Sequence, residues 1–173
     1  MDYCPNLRTL SLNDNEIEIV PAQVGNWVYL KNLHLRNNRI ALQQLNLSNN
    51  RLTAIPKQIL KLNSLQFIDL SLNRITVIPD EIEWLQADEL NLNNNQIVQI
   101  SDRISRCKRL KTLRLNNNNL QLNTMPVSLL RDSVTLSLLS CLEGNRFSET
   151  QFQQYDGYEE YEKRYTAQRR EMD

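Results

Sequence analysis

One spelling returns along this chain. Leu65-Gln-Phe-Ile68-Asp-Leu70-Ser-Leu-Asn73-Arg-Ile75 reduces to L-x-x-L-x-L-x-x-N-x-L, which recurs from Leu7, Leu30, Leu42, Ala87 and Leu110, and in degraded form before Asn145. Such a period constrains the fold more than composition does. Each repeat is too thin to bury its own apolar side, so repeats have to stack. The alternating Leu-x-Leu makes a short strand with both leucines on one side. The asparagine three residues later is a turn residue whose amide can bond its own coil and the next one.

The ladder asparagines are Asn15, Asn38, Asn50, Asn73, Asn95, Asn118 and Asn145, spaced 23, 12, 23, 22, 23 and 27 apart. Six residues after three of them come Pro21, Pro56 and Pro79, followed at three-residue steps by Val24, Ile59 or Ile82 and then Trp27, Leu62 or Leu85. Apolar residues at every third position suit a 3₁₀ or single-turn helical segment. The expected fold is α/β: a right-handed solenoid with parallel concave strands, short 3₁₀ or helical convex segments and a C-terminal helical cap. Hydrophobic content of 40% with only 6% aromatic fits a core of Leu and Ile.

Some coils depart from the rule. After Asn38 and Ile40 the chain runs straight to Leu42, so about half a coil is missing; the competing accounts are a natural irregular coil and a skipped exon or faulty gene model. Residues 36–44 are therefore expected to loop out or to break the sheet, and residues 1–6 read as the start of an N-terminally shortened form. Coil five has Ser101 at the proline position, and in coil six Pro126 comes eight residues after Asn118. In the last coil Ser140 stands in a strand-Leu slot ahead of Leu142 and Asn145, as in an atypical terminal repeat. Residues 1–147 are expected to form the solenoid and 148–173 a charged, Tyr-rich cap or tail. Tyr158, Tyr161 and Tyr165 fall on one helical face, suited to covering the last coil or, alternatively, to docking as phosphotyrosines.

Within the Pro-containing leucine-rich repeat class, the chain resembles the leucine-rich repeat-containing protein 57 family. Leu90-Asn-Leu-Asn-Asn-Asn-Gln-Ile-Val-Gln-Ile-Ser101, Leu142-Glu-Gly-Asn145 and Gly157-Tyr-Glu-Glu-Tyr-Glu-Lys-Arg-Tyr-Thr-Ala167 carry that resemblance. It implies a small intracellular adaptor with no assigned reaction. Family members open with a Met-Gly myristoylation-type start; this chain opens Met1-Asp2, so the lipid anchor is not carried over.

The start is neither basic nor apolar, and residues 129–142 hold Arg131 and Asp132 and are too short to span a bilayer. Cys4, Cys107 and Cys141 are scattered and odd in number, unlike a disulfide framework, and Cys107 takes a core slot equivalent to Leu85. A cytoplasmic chain is expected, or a membrane-associated one if a longer form carries a lipid anchor.

No catalytic constellation, cofactor motif or metal set is legible. His34 is the one histidine, and three glycines form no phosphate-cradling loop. Lys plus Arg and Asp plus Glu both total 20, which gives no field for nucleic acid. The basic run from Arg103 through Arg106, Lys108, Arg109 and Lys111 to Arg114 reads as inter-coil pairing, with Glu81 beside Arg103 and Lys57 beside Asp80. What remains is the outward-facing part of the strands. A middle column contains His34, Asn46, Asp69, Asn91 and Arg114, and a flanking column contains Phe67, Glu89 and Thr112. These eight residues are the candidate contacts for a protein partner, with Phe67 the aromatic anchor. The expected function is a non-enzymatic adaptor or scaffold; the alternative is a regulatory or targeting subunit of an enzyme such as a phosphatase or ubiquitin ligase.

Overall fold

The computed structural model describes residues 7–12, 14–16, 32–34, 43–57 and 59–172, with backbone alone for 32–34 and 171–172. No described strand exceeds three residues, because the Leu-x-Leu rhythm ends at each turn asparagine. Strands β3 (Gln44–Asn46), β4 (Phe67–Asp69), β6 (Glu89–Asn91), β8 (Thr112–Arg114) and β9 (Leu138–Ser140) form one sheet in that order, every neighbour parallel. Its inward row, Leu45, Ile68, Leu90, Leu113 and Leu139, is in unbroken register. On the return side, β5 (Val77–Ile78) pairs with β7 (Gln99–Ile100). Strands β1 (Thr9–Ser11) and β2 (Asn32–His34) make a separate parallel pair. Of the stretch expected to depart from the coil geometry, Gln44 is already in register with Phe67. Residues 35–42 themselves lie outside the described residues.

Between strands the chain returns through 3₁₀ turns at Ile59–Lys61, Asp80–Trp84 and Asp102–Arg106, and through helix α1 (Val127–Arg131) in coil six. Ile59, Ile82, Ile104 and Leu129 enter the core from these segments, each at 0–1% exposure. Cys107 and Leu85 are both buried, as their shared slot requires. The core is thus a column of thin layers, each roofed by the next.

Asparagines join the layers. Asn73 donates to Leu47 O of the preceding coil and to Leu70 O of its own, while its Oδ1 accepts Leu52 N–H. Asn95 repeats this with Leu70 O, Leu92 O and Ile75 N–H, and Asn118 with Leu92 O, Leu115 O and Ile97 N–H. Asn145 closes the series on Leu115 O and Leu120 N–H. Asn50 keeps its bonds to Leu47 O and Ser48 O, but among the described residues its buried Oδ1 has no hydrogen-bond partner. It is the ladder residue that follows the missing half coil.

The residue before each of six ladder asparagines takes positive φ: Asp14, Asn49, Leu72, Asn94, Asn117 and Gly144, all between 56° and 67°. Asn and Gly accept this region cheaply. At Gly144 a Cβ would also lie 2.1 Å from Asn117 Oδ1, so the turns of two coils touch there.

In the last coil the structure corrects the sequence register. Ser140 pairs with Arg114 and faces outward, while Leu139 and Cys141 take the inward slots. Leu142 is 39% exposed instead of buried. The cause is one extra turn residue: Asn145 bonds the carbonyl four residues back, at Cys141, where other ladder asparagines reach three. Beyond it come α2 (Glu149–Gln153), started by a Ser148–Gln151 capping box, and α3 (Tyr158–Met172). The tyrosine face of α3 covers the end of the core, with Tyr161 buried and Tyr158 and Tyr165 half-buried. Tyr161 Oη accepts the N–H of Leu139 at 3.0 Å, so the cap bonds the last strand directly.

Candidate functional site

Strand register assembles the outward face. Gln44, Phe67, Glu89, Thr112 and Leu138 form one column, and Asn46, Asp69, Asn91, Arg114 and Ser140 the other. Seven of the eight expected contact residues, all but His34, therefore share one continuous surface. His34 pairs with Ser11 in the separate β1–β2 ladder, and its side chain lies outside the described residues.

The middle column is less available than its spelling suggests. Asn46 Oδ1 accepts from Ser48 N–H, Asp69 Oδ1 from Ser71 N–H and Asn91 Oδ1 from Asn93 N–H, at 2.8, 2.9 and 3.1 Å. These repeated Asx turns steer the chain out of each strand. Arg114 donates to Glu89 across the sheet at 2.6 Å, both half-buried. Asn46, Asp69 and Asn91 thus hold the coil edges, and Arg114 ties two coils together. Phe67 and Thr112, half-buried, and Gln44, exposed, take no part in these turns or in the Arg114–Glu89 pair. The polar residue two places after each column residue, at Ser48, Ser71 and Asn93, was the legible sign of these turns. Asn93 was missed altogether; its Oδ1 also accepts Asn116 N–H and so ties two coils together.

The basic run pairs between coils, with partners other than those expected. Lys57 meets Glu81, and Arg103 meets Glu83 at 2.8 Å and Asp80 at 3.5 Å. In the 3₁₀ turn Asp80–Trp84 residues three apart eclipse, so Asp80 and Glu83 share the side that Arg103 reaches while Glu81 meets Lys57, which a proline-based alignment does not capture. Arg109 and Lys111 both bond Asp88, and Arg109 also reaches Asn63 O. Partial burial pushes the Asp88 carboxyl up, but the hydrogen bonds from Lys111 and Arg109 outweigh it and hold the group below the usual range.

Among the described residues, no group of three or more His, Cys, Asp or Glu could hold a metal ion. The outward face offers, among the described residues of its two columns, hydrogen-bonding groups and one aromatic ring, Phe67.

A family model described as Leucine rich repeat matches residues 40–97, and a second, Leucine Rich Repeat, matches residues 6–27. The chain is a leucine-rich repeat protein. Among solved structures, it is similar to a leucine-rich repeat protein of Leptospira interrogans, 27% identical with a TM-score of 0.52, over 84% of this chain and 45% of that one. A chain from the octameric complex of Latrophilin 3, Unc5D and FLRT2 (LRR) is 24% identical with a TM-score of 0.53, over 61% of this chain and 32% of the other. An adenylate cyclase of Podospora anserina is 34% identical over 133 residues, which is 69% of this leucine-rich repeat chain but 6% of the cyclase. The chain thus spans less than half of each of these relatives. Leucine-rich repeat folds serve as interaction modules, and no helix among the described residues is long and apolar enough to cross a membrane.

Proposed function

We propose that this chain is a non-enzymatic adaptor that binds a protein partner on the concave face of its five-stranded sheet, centred on Phe67 and Thr112. The observation that carries the reading is the register itself. Five strands hold two outward columns in line, and the core needs only the intervening residues. Phe67 supplies an aromatic anchor flanked by Gln44, Glu89 and Asp69. The similarity to a chain of a multiprotein assembly accords with such a role. Within the leucine-rich repeat proteins we place the chain with the leucine-rich repeat-containing protein 57 family, in the cytoplasm, with residues 148–173 as a cap on the 1–147 solenoid.

The test is a comparison of two variants against wild type, using partners recovered with the wild-type chain, identified by mass spectrometry and then purified. Phe67→Ala with Thr112→Arg should weaken binding at least about tenfold, an anchor-sized loss. Lys108→Glu, an exposed change on the return side, should leave it unchanged. Binding that survives the double change but fails in the Lys108 variant would move the interface off the concave face.

A further inference from the structure

At the C-terminal end of the concave face, a cavity of about 380 Å³ opens between β9 and helices α2 and α3. Its wall is aromatic: Phe152, Tyr158, Tyr161 and Tyr165 all line it. Phe152 meets Tyr158 edge-on at 5.5 Å, and Tyr161 stacks with Tyr165 at 6.1 Å, so the rings brace one another. The polar lining includes three carboxylates, Glu143, Glu149 and Glu162, all on exposed residues.

Glu162 takes a hydrogen bond from Tyr158 Oη at 3.4 Å and Glu149 one from Gln153 Nε2 at 3.3 Å, which leaves each carboxylate further acceptor capacity. Among the described residues, none of the three carboxylates is in an ion pair with a Lys or Arg. Arg114, beside Ser140 in the register, turns away to Glu89. Asn116 also lines the cavity, and its buried Oδ1 has no hydrogen-bond partner. Burial, then Glu162 and Glu149, push the Tyr158 phenol up, which shows the negative field reaching the rings. Arg169 already lies over the Tyr165 ring at 5.6 Å, so an aromatic of this wall accepts a cation. The lining thus combines π faces with carboxylates that no cation neutralises, and a positively charged donor complements both.

We propose that this cavity receives a basic side chain, arginine or lysine, from a protein segment lying along the end of the concave face. The site is separate from the Phe67 column and can stand without it. The rings would desolvate the aliphatic stem, while Glu149 and Glu162 take the N–H groups.

The experiment is an NMR titration of the full chain, observing the Asn116 side-chain amide and the Tyr158 and Tyr161 rings. The probes are N-acetyl-arginine amide, N-acetyl-lysine amide and the neutral isostere N-acetyl-citrulline amide. Saturable shifts at these groups are expected with both cations, and citrulline should bind about fivefold more weakly or less. Glu149→Gln with Glu162→Gln, two exposed helix positions, should weaken the cations by a similar factor, whereas the Phe67/Thr112 variant should bind the probes as wild type does. Equal binding of citrulline and arginine, cation binding indifferent to the two Glu changes, or shifts that bypass these groups would overturn the proposal. Any of those results would leave the concave-face test unaffected, since the titration uses no protein partner.

Discussion

The side-chain oxygen of Asn73 accepts the backbone N–H of Leu52 at 2.9 Å, across 21 residues of sequence. That bond shows how one coil supplies the loop chemistry of another. Asn95 makes the equivalent bond to Ile75, while Asn50 has none at its oxygen among the described residues. Removing Asn95 as Ala strands a buried N–H and the carbonyls it served, at a cost of about 1–3 kcal/mol. Asn50→Ala should cost less, by about 1 kcal/mol, since its oxygen satisfies no donor. Urea unfolding of the two variants checks the order; equal losses would mean the oxygen bond contributes little.

Leu72 holds a left-handed conformation, φ 56°, with a side chain 52% exposed. The equivalent position is Asn49, Asn94 and Asn117 in other coils. A Cβ-bearing residue without a local hydrogen-bonding group is strained there. Leu72→Asn should therefore stabilise the chain by about 0.5–1 kcal/mol, read as a raised melting temperature. A lowered midpoint would show that Leu72 packs more than its exposure indicates.

The fold was legible because leucine spacing encodes it twice, once as strand alternation and once as coil period. Asn73, Asn95 and Asn118 lie where the spelling placed them, and they bond as turn asparagines should. The slip at Ser140 was not legible, because one added turn residue shifts the strand without altering the count of leucines. The outward face was legible only as a surface. That Asp69 serves Ser71, and Arg114 serves Glu89, depends on side-chain direction and on register between coils. The end cavity joins Asn116 to Tyr158 and Tyr161 through a cap whose docking no period encodes.

Asp88 gives the stack an acid-sensitive clasp. Its folded pKa lies below the unfolded value of about 3.9, held there by Lys111 and Arg109 against the effect of burial. A depressed carboxylate stabilises the fold fully above the unfolded value, and that stability is lost as pH falls through the folded one. Asp88→Asn should lower stability at pH 7 and flatten the decline below about pH 4. Chemical denaturation at both pH values checks this. An unchanged acid slope would assign the sensitivity to other carboxylates.

Cys107 and Cys141 are built into the core and not offered to solvent. Burial pushes both thiols up to about 12, and Cys107 Sγ contacts Ile82 O at 3.2 Å. Thiolate, the reactive species, is therefore scarce at neutral pH. Iodoacetamide at pH 8, followed by peptide mapping, should leave both unmodified in the folded chain and label both in urea. Rapid native labelling of either would show that its layer opens readily.

Tyr161 bonds the edge strand that nothing else in the described sheet covers. Strand β9 is the last of the five, and an uncovered edge presents unpaired N–H and C=O groups to other chains. The Tyr161 phenol accepts Leu139 N–H at 3.0 Å and lies 3.4 Å from Leu139 O. Its ring is buried against Phe152, Tyr158 and Tyr165. Tyr161→Phe keeps that ring and removes the oxygen alone, leaving one buried N–H without an acceptor, so a loss of about 1–3 kcal/mol is expected. Faster hydrogen exchange should be confined to Leu139 and its neighbours, because the ring still holds α3 in place. Exchange that rises instead along all of α3 would show that the hydroxyl, and not the aromatic packing, fastens the cap.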